Sequence, residues 1–439
     1  MSARRARFIA LMTATSMVIA ACGSSTTPGA IPSVAPVETV STKPAPHVEP
    51  CGSGRATPAN ETGVSGEAIT VGVIADVTGA RAQFLSNWQA MQAFAAFCNS
   101  RGGIAGRRLD VTLFDTKVFN HRAAVTDSCA SVFALVGSAA AFDGDGASIE
   151  SDCGIPDVPA LVAEPGHDRV PTVVSPLPNP QDLFLVGPER YLARTHPAAV
   201  RSAAMAYLDV GVTAVRASRA VEATRRIGYR YTVTDPIPAL YGDQDVQALV
   251  GRLKSRSVRY LSFQGRVTDL AAFQTAIAAA GRPVDVVDAP PLFYDPSYLT
   301  AAGAAADGTY VVTQTTPFTD ADTSPELRRY TEWLGRAVPG AVPTAYGARG
   351  WSAGLLFAEA ARRAGAKLDR ASVLAELRAI HAWDGNGIQV PADPGSGRAS
   401  SCFAYMQVQS GSFRRAYPSR GFACPHDGWL RLNRNFRHL

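Results

Sequence analysis

From Glu67 onward the apolar positions change period repeatedly, and each change marks an element. In "AITVGVIADVTGA", Ile69, Val71 and Val73 alternate with smaller or polar neighbours, which predicts a strand running into a glycine-containing loop. Phe84, Leu85, Trp88, Met91, Phe94, Ala95 and Cys98 then recur at three- and four-residue intervals, the stripe of an amphipathic helix. Gly102 and Gly103 in "RGGIAGR" break that helix, and Leu109, Val111 and Leu113 of "RLDVTLFD" predict a second strand. A helix over 122–131 leads to a third strand, "VFALVGS". A short helical stretch toward Cys153 precedes two more strands, "VPALVA" and "PTVVSP". Strands separated by helices pair in parallel through right-handed crossovers, so this half is an α/β sheet.

The alternation restarts after Pro197. The pattern predicts helix 198–208, strand "VTAVRA", helix 221–227 and strand "YRYTVT". Helix 246–255, strand "VRYLSFQ", helix 270–280 and strand "PVDVVD" follow. The proline-rich stretch "PLPNPQDLFLVGPERY" separates this unit from the first. Beyond it come strand "GTYVVTQTTPF" and helices 326–337, 350–364 and 371–380. A hairpin of "SCFAYMQV" and "FRRAYP" around "SGS" ends the pattern. The expected fold is α/β, with two doubly wound parallel-sheet lobes joined by a hinge of crossover segments.

The N-terminus follows another rule. Arg4, Arg5 and Arg7 precede an apolar run over 8–21. That run is shorter than the about 20 residues a helix needs to cross a bilayer, so 1–21 reads as a secretory signal peptide. Ile19-Ala20-Ala21-Cys22 resembles a bacterial lipobox, which makes Cys22 the lipid-modified first residue of the mature chain. The Ser/Thr/Pro-rich stretch after it, within 22–66, reads as a flexible tether. These features predict an extracytoplasmic lipoprotein on the outer face of a bacterial cell membrane.

Charge and cysteines sharpen that picture. The formal net charge of +5 falls to +2 without the three leader arginines, and no basic cluster carries interleaved aromatics. Nucleic-acid binding is therefore not expected. With Cys22 lipidated, Cys51, Cys98, Cys129, Cys153, Cys402 and Cys424 remain, an even set that predicts disulfides in an exported chain. Sequence proximity favours Cys129–Cys153 and Cys402–Cys424, leaving Cys51–Cys98. No C-x-x-C or H-x-x-x-H spacing accompanies them, so no metal site is expected. Asp143 and Asp145 alternate with Gly144 and Gly146 as turn residues, without the closing glutamate of a calcium loop.

One stretch suggests chemistry. Residues 350–354 spell G-W-S-A-G, the pattern of a hydrolase nucleophile elbow, with Ser352 at its centre. A working elbow needs a buried strand running into the serine. What precedes it here is "GAVPTAYGAR", with a proline, two glycines and no alternating run, and no H-G-G-G oxyanion loop is present. Asp369, Asp384 and Asp393 and the histidines at 381, 426 and 438 follow in the required order, but in helical and hairpin segments. The glycines read instead as places where a helix packs closely, with Trp351 partly buried. No catalysis and no cofactor are expected, and an exported serine hydrolase using Ser352 is the rival from another class.

Three stretches carry a family resemblance: "ITVGVIADVTG", "FAAFCNSRGGIAGRRLDVTLFD" and "GARGWSAGLLFAEAARRAG". They resemble the first strand and ligand loop, the glycine-rich helix-to-strand turn and a late helix of the type I periplasmic solute-binding proteins, amino-acid and amide branch. The resemblance covers about residue 67 to the C-terminus, and it implies that lobe one takes 67–185 and 309–390, that lobe two takes 186–308, and that 391–439 is a hairpin returning to lobe two. It implies an interlobe cleft at the carboxyl ends of the strands, closing by hinge motion around a small polar ligand. It also implies delivery to the permease subunits of an ABC importer by a monomeric protein. Loop positions then nominate Thr78, Gln83, Phe84, Ser138, Phe142 and Ser175 in lobe one, and Gln264, Arg266, Asp288 and Tyr294 in lobe two. Hydroxyls would hold a carboxylate or amide, Arg266 an anion, Asp288 a cation and the aromatics a side chain. Two departures stand out. After the third strand only Ser138 offers the family's hydroxyls, and "VTAVRASRAVEATRRIGYRY" reads as short and lacking a polar ligand loop. A sensor of the same fold, or a scaffold lipoprotein with a degenerate cleft, is the alternative.

Overall fold

The computed structural model describes residues 43–433 except 58, 60, 80–82, 282–283 and 366–367. The leader, Cys22 and the tether as far as residue 42 lie outside the described residues. In the first lobe, β1 (Ala68–Ala75), α1 (Leu85–Ser100), β2 (Arg108–Asp115), α2 (His121–Ser131), β3 (Ala134–Val136), α3 (Ala147–Cys153) and β4 (Asp157–Val158) follow in order. The four strands are parallel in the order β2-β1-β3-β4. The alternation in β1 sorts its side chains: Ile69, Val71 and Val73 pack under α1, while Ile74 joins Val125 and Leu135 on the α2 side.

The glycine-rich turn after α1 is required by close approach. Gly103 has φ +80°, and a Cβ there would stand 1.9 Å from the Arg107 carbonyl oxygen. Arg107, buried in turn, donates to the carbonyls of Ser65 and Thr57 (3.0 and 2.5 Å). The end of the expected tether is therefore fastened to the lobe. Ala45 N reaches Asp384, Val48 N reaches Asn386, and Cys51 is bonded to Cys98 of α1. Cys129–Cys153 joins α2 to α3, and Cys402–Cys424 closes the C-terminal region.

The chain then crosses through β5 (Leu183–Leu185) and α4 (Gly187–Thr195) into the second lobe. There β6 (Ala203–Leu208), α5 (Gly211–Arg225), β7 (Tyr231–Ile237), α6 (Asp243–Ser255), β8 (Tyr260–Gln264), α7 (Val267–Ala279), β9 (Val286–Ala289), α8 (Pro296–Ala302) and β10 (Tyr310–Thr313) alternate. Strand order is β12-β11-β10-β9-β8-β6-β7, with β6 to β10 parallel. Before the last strands, α9 (Pro325–Ala337), α10 (Ala345–Ala364) and α11 (Arg370–Arg378) return to lobe one, where α10 lies along α1. The hairpin β11 (Ala404–Gln409) and β12 (Ser412–Tyr417) adds antiparallel to β10, and β13 (Trp429–Arg431) pairs antiparallel with β5.

Two expected elements exchange identity. The stretch read as helix 198–208 contains strand β6, all six of whose residues are buried, and "VTAVRA" is the first half of helix α5. A strand covered on both faces shows no alternation, so periodicity cannot separate it from a buried helix. The strand "GTYVVTQTTPF" also lies in the second sheet, so the return to lobe one comes after Thr313 rather than at 309. The crossover segments brace one another. Gln389 Nε2 donates to the Pro176 carbonyl (2.7 Å), and Val390 N donates to that of Gln314 (2.9 Å).

Candidate functional site

The carboxyl ends of β8, β9 and β10 open onto a cavity of ≈ 190 Å³ also lined by α4, α5, the crossovers and the start of α10. Lobe one contributes Leu161, Tyr346 and Arg349, and lobe two contributes Arg216, Ser262, Gln264 and Asp288. Both lobes therefore face one space, as a ligand that favours closure requires.

The cavity has a basic and an acidic side. Thr344 caps α10 by accepting from Gly347 N, which sets Tyr346 and Arg349 in its first turns. Arg349 is 8% exposed, its guanidinium carbon lies 4.9 Å from the Tyr346 ring centre, and its Nε has no partner. Burial pulls its pKa down, the Tyr346 hydroxyl pulls it back up, and the charge of Arg216 adds to the lowering. Arg219, one turn further along α5, is held through its terminal nitrogens, which donate to Gln181 Oε1 (2.7 Å) and the Leu183 carbonyl (2.6 Å), and only its Nε lacks a partner. Burial brings Arg219 down to about 10. Arg349 thus offers a fork of donors, fixed by stacking, without a carboxylate of its own.

Opposed to it are Asp288 at the end of β9 and Glu189 in the first turn of α4. Asp288 accepts from the hydroxyls of Tyr260 (2.5 Å) and Tyr405 (3.0 Å). Burial still lifts its pKa to about 6, against those two hydrogen bonds. Burial, then the charge of Asp288, raises Glu189 well above the carboxylate range, and Glu189 Oε2 has no partner. Such a pair holds a proton near neutral pH until a cation arrives. Leu161, Leu177, Leu183 and Val312 give the space an apolar wall, with Trp429 Nε1 unpartnered at its edge.

The match to known proteins covers most of this fold. The family model described as periplasmic binding protein matches residues 68–412. The chain belongs to that family. No curated protein matches the chain. A solved structure named as a fatty acid ABC transporter substrate-binding protein from Thermomonospora curvata has 16% identity and a TM-score of 0.72, covering 84% of this chain and 96% of that one. A leucine-binding protein from Thermotoga maritima has 19% identity and a TM-score of 0.67, with 82% and 99% covered. A branched-chain amino acid ABC transporter protein from Thermus thermophilus with bound valine has 16% identity and a TM-score of 0.68, with 82% and 98% covered. At these identities the likeness is one of fold, the type I periplasmic-binding-protein architecture.

The family is one of binding proteins, not enzymes, and Ser352 fits that description. It lies in the middle of α10, fully buried, where its Oγ accepts from Trp383 Nε1 (3.0 Å). No strand enters it. The glycines of the motif serve packing, since a Cβ on Gly354 would meet the Phe94 ring of α1 at 2.6 Å. The elbow reading fails because the motif is helical throughout.

Of the residues nominated from loop positions, the cavity gathers Gln264 and Asp288. The others have partners elsewhere. Thr78 is exposed and bonded to Asp115, Ser138 accepts from Ile74 N (3.2 Å), and Ser175 donates to the Pro159 carbonyl (3.2 Å). Phe84 packs on Tyr346, and Phe142 on Phe119. Gln83 is half-buried ahead of α1, with its Oε1 unpartnered. Arg266 is held by Asp269 at the start of α7, and Tyr294 accepts from Phe318 N (2.9 Å) within the lobe-two core. Sequence reasoning missed Glu189, Arg216 and Arg349. Arg216 fell in a stretch read as strand, and Glu189 in one read as a break. Arg349 had a visible signal, a lone arginine inside an apolar small-residue helix.

Proposed function

We propose that the protein captures a small zwitterionic solute, amino-acid- or amide-like, and presents it to the permease subunits of an ABC importer. The observation that supports this reading is the pairing, within one cavity, of the unpartnered Arg349 guanidinium with the Glu189–Asp288 carboxyl pair. A ligand carboxylate would take the fork of Arg349, with Arg216 beside it. An ammonium or amide N–H₂ would sit at Glu189 and Asp288, with Ser262 and Gln264 supplying further hydrogen bonds. The apolar wall would take the side chain. Because Arg349 and Asp288 belong to different lobes, only the closed form makes both contacts, and closure becomes the signal a permease reads. The named ligands of the Thermotoga and Thermus relatives, leucine and valine, belong to this class.

In the same reading the chain is a monomer displayed outside the cell membrane by lipid on Cys22. A thermal-shift screen of amino acids, amides, sugars, polyamines and fatty acids tests the proposal. A ligand at about 100 times its Kd adds roughly 2.7 kcal/mol to native stability. Stabilisation by amino acids or their amides is expected. A response confined to sugars or fatty acids would overturn the ligand class, and no response at all would favour the scaffold reading.

A further inference from the structure

On the α2–α3 side of the first sheet, away from the cleft, three ionisable side chains converge in the interior. His167 Nε2 lies 3.3 Å from Glu150 Oε2 and 3.3 Å from Asp157 Oδ2, and none of the three side chains is more than 3% exposed. On the other side of the ring, Nδ1 stands 2.9 Å from Asp143 Oδ2. The Asp143 carboxylate is itself fixed by the backbone N–H groups of Ala163 and Glu164 (2.6 and 2.8 Å). A carboxylate so held accepts a hydrogen bond from Nδ1–H, which in the neutral imidazole leaves the Nε2 lone pair facing Glu150 and Asp157.

Nε2 makes no hydrogen bond to either carboxylate, and Asp157 Oδ1 is also without a partner. Buried polar atoms are almost always paired, so two orphans in one cluster call for an explanation. The spacing supplies it. Metal–ligand bonds of 2.0–2.2 Å at tetrahedral angles place neighbouring ligand atoms about 3.3–3.5 Å apart. Glu150, Asp157 and His167 each offer one ligand atom, all within 4.8 Å of one another. Thr172 Oγ1 donates to Glu150 Oε1 (3.3 Å), which turns Oε2 toward the other two.

We propose that His167 Nε2, Glu150 and Asp157 form a buried structural site for a divalent transition metal, with Zn2+ the ion that fits the spacing. Asp143 is the outer-shell carboxylate that orients the imidazole, an arrangement common to metal-bound histidines. One imidazole with two carboxylates suits zinc and its first-row neighbours, and lacks the many oxygens calcium requires. The ion would tie α3 to the two-residue strand β4 and to the turn at 167–169. That places it behind the loop carrying Leu161 to the cleft wall, so it stiffens the lobe-one side of the site without touching ligand.

The test is metal analysis of the full chain, produced in zinc-supplemented medium and purified without chelator. About one zinc per chain is expected in the wild type and in Asp145→Asn, an exposed neighbour outside the cluster. His167→Gln and Asp157→Asn should fall to background, and Asp143→Asn should bind zinc about 10–100-fold more weakly. Should the ligand variants fail to fold, the wild type decides alone. Unfolded and refolded in Zn2+ or in EDTA, it should melt at a higher temperature in Zn2+. A zinc-free wild type that melts identically in both, or zinc content unchanged in both ligand variants, would overturn the proposal.

Discussion

The hydroxyls nominated in the loops of lobe one and the charged groups on the wall shared by α10, α4 and β9 stand in opposite condition. In the first group the hydroxyls are occupied: Thr78 by Asp115, Ser138 by Ile74 N and Ser175 by the Pro159 carbonyl. In the second, Arg349 Nε and Glu189 Oε2 are buried without partners, and Asp288 is lifted to about 6 by burial. A buried group that is satisfied internally gains little from a ligand, whereas an orphan regains its lost hydration through one. On the proposed reading, the condition of a polar group, more than its loop position, marks the place where a ligand would contribute binding energy.

The largest effect that would break this contrast lies at Arg349. Removing one partner of a buried charged pair typically costs about 2–5 kcal/mol in binding. Arg349→Met should therefore abolish measurable capture while leaving a folded protein, as judged by circular dichroism. Retained affinity would mean that the orphan guanidinium is not the anchor. Next is the acidic side. Asp288→Asn should weaken an amine-bearing ligand by roughly 1.5–3 kcal/mol, the value of a hydrogen bond to a charged group.

The pH dependence sharpens the same point. Asp288 holds a proton below about 6, and a ligand ammonium favours its ionised form. Binding should release protons, and affinity should rise between pH 5 and 7, with a flatter profile in Asp288→Asn. The unliganded protein should respond in the opposite sense. A carboxyl whose folded pKa exceeds the unfolded 3.8 binds more protons when folded, so its contribution to stability falls as pH rises from about 4 to 6.

Smaller effects belong to groups on the satisfied side. Ser352→Ala strands Trp383 Nε1, which should destabilise the fold by about 1–3 kcal/mol with ligand affinity unchanged. A fluorophosphonate probe should label neither protein. Thr78→Val should do least, a change within ±0.5 kcal/mol in stability and none in affinity, as titration calorimetry would show.

Most of the architecture was legible because its elements obey one period each. The stripe of α1 and the alternation of β1 survive into the structure as the faces that pack together. There were two exceptions: "VPALVA" and "PTVVSP" give only the two-residue β4 and a single bridge at Val173, and at the start of lobe two the fully buried β6 carries no alternation while the valines of α5 imitate a strand. That one exchange hid Arg216, since a residue read as strand interior is not sought at a cavity. Asp288 and Gln264, the two nominated residues that line the cavity, lie at the ends of strands whose reading was right. Arg349 and Glu189 lie on helices whose approach to the cleft is decided by tertiary packing, which loop positions do not encode.

The account stands most directly on a matched trio of ligands: leucine, the same skeleton without its amine (4-methylpentanoate), and the same skeleton without its carboxylate (3-methylbutylamine). Titration calorimetry on the wild-type protein would compare them at pH 7. The orphan guanidinium of Arg349 opposite the Glu189–Asp288 pair predicts that leucine, as an amino acid of the proposed class, binds and that each truncated analogue loses at least about 1.5 kcal/mol, more than tenfold. Binding of the acid or the amine as tight as that of leucine would contradict it.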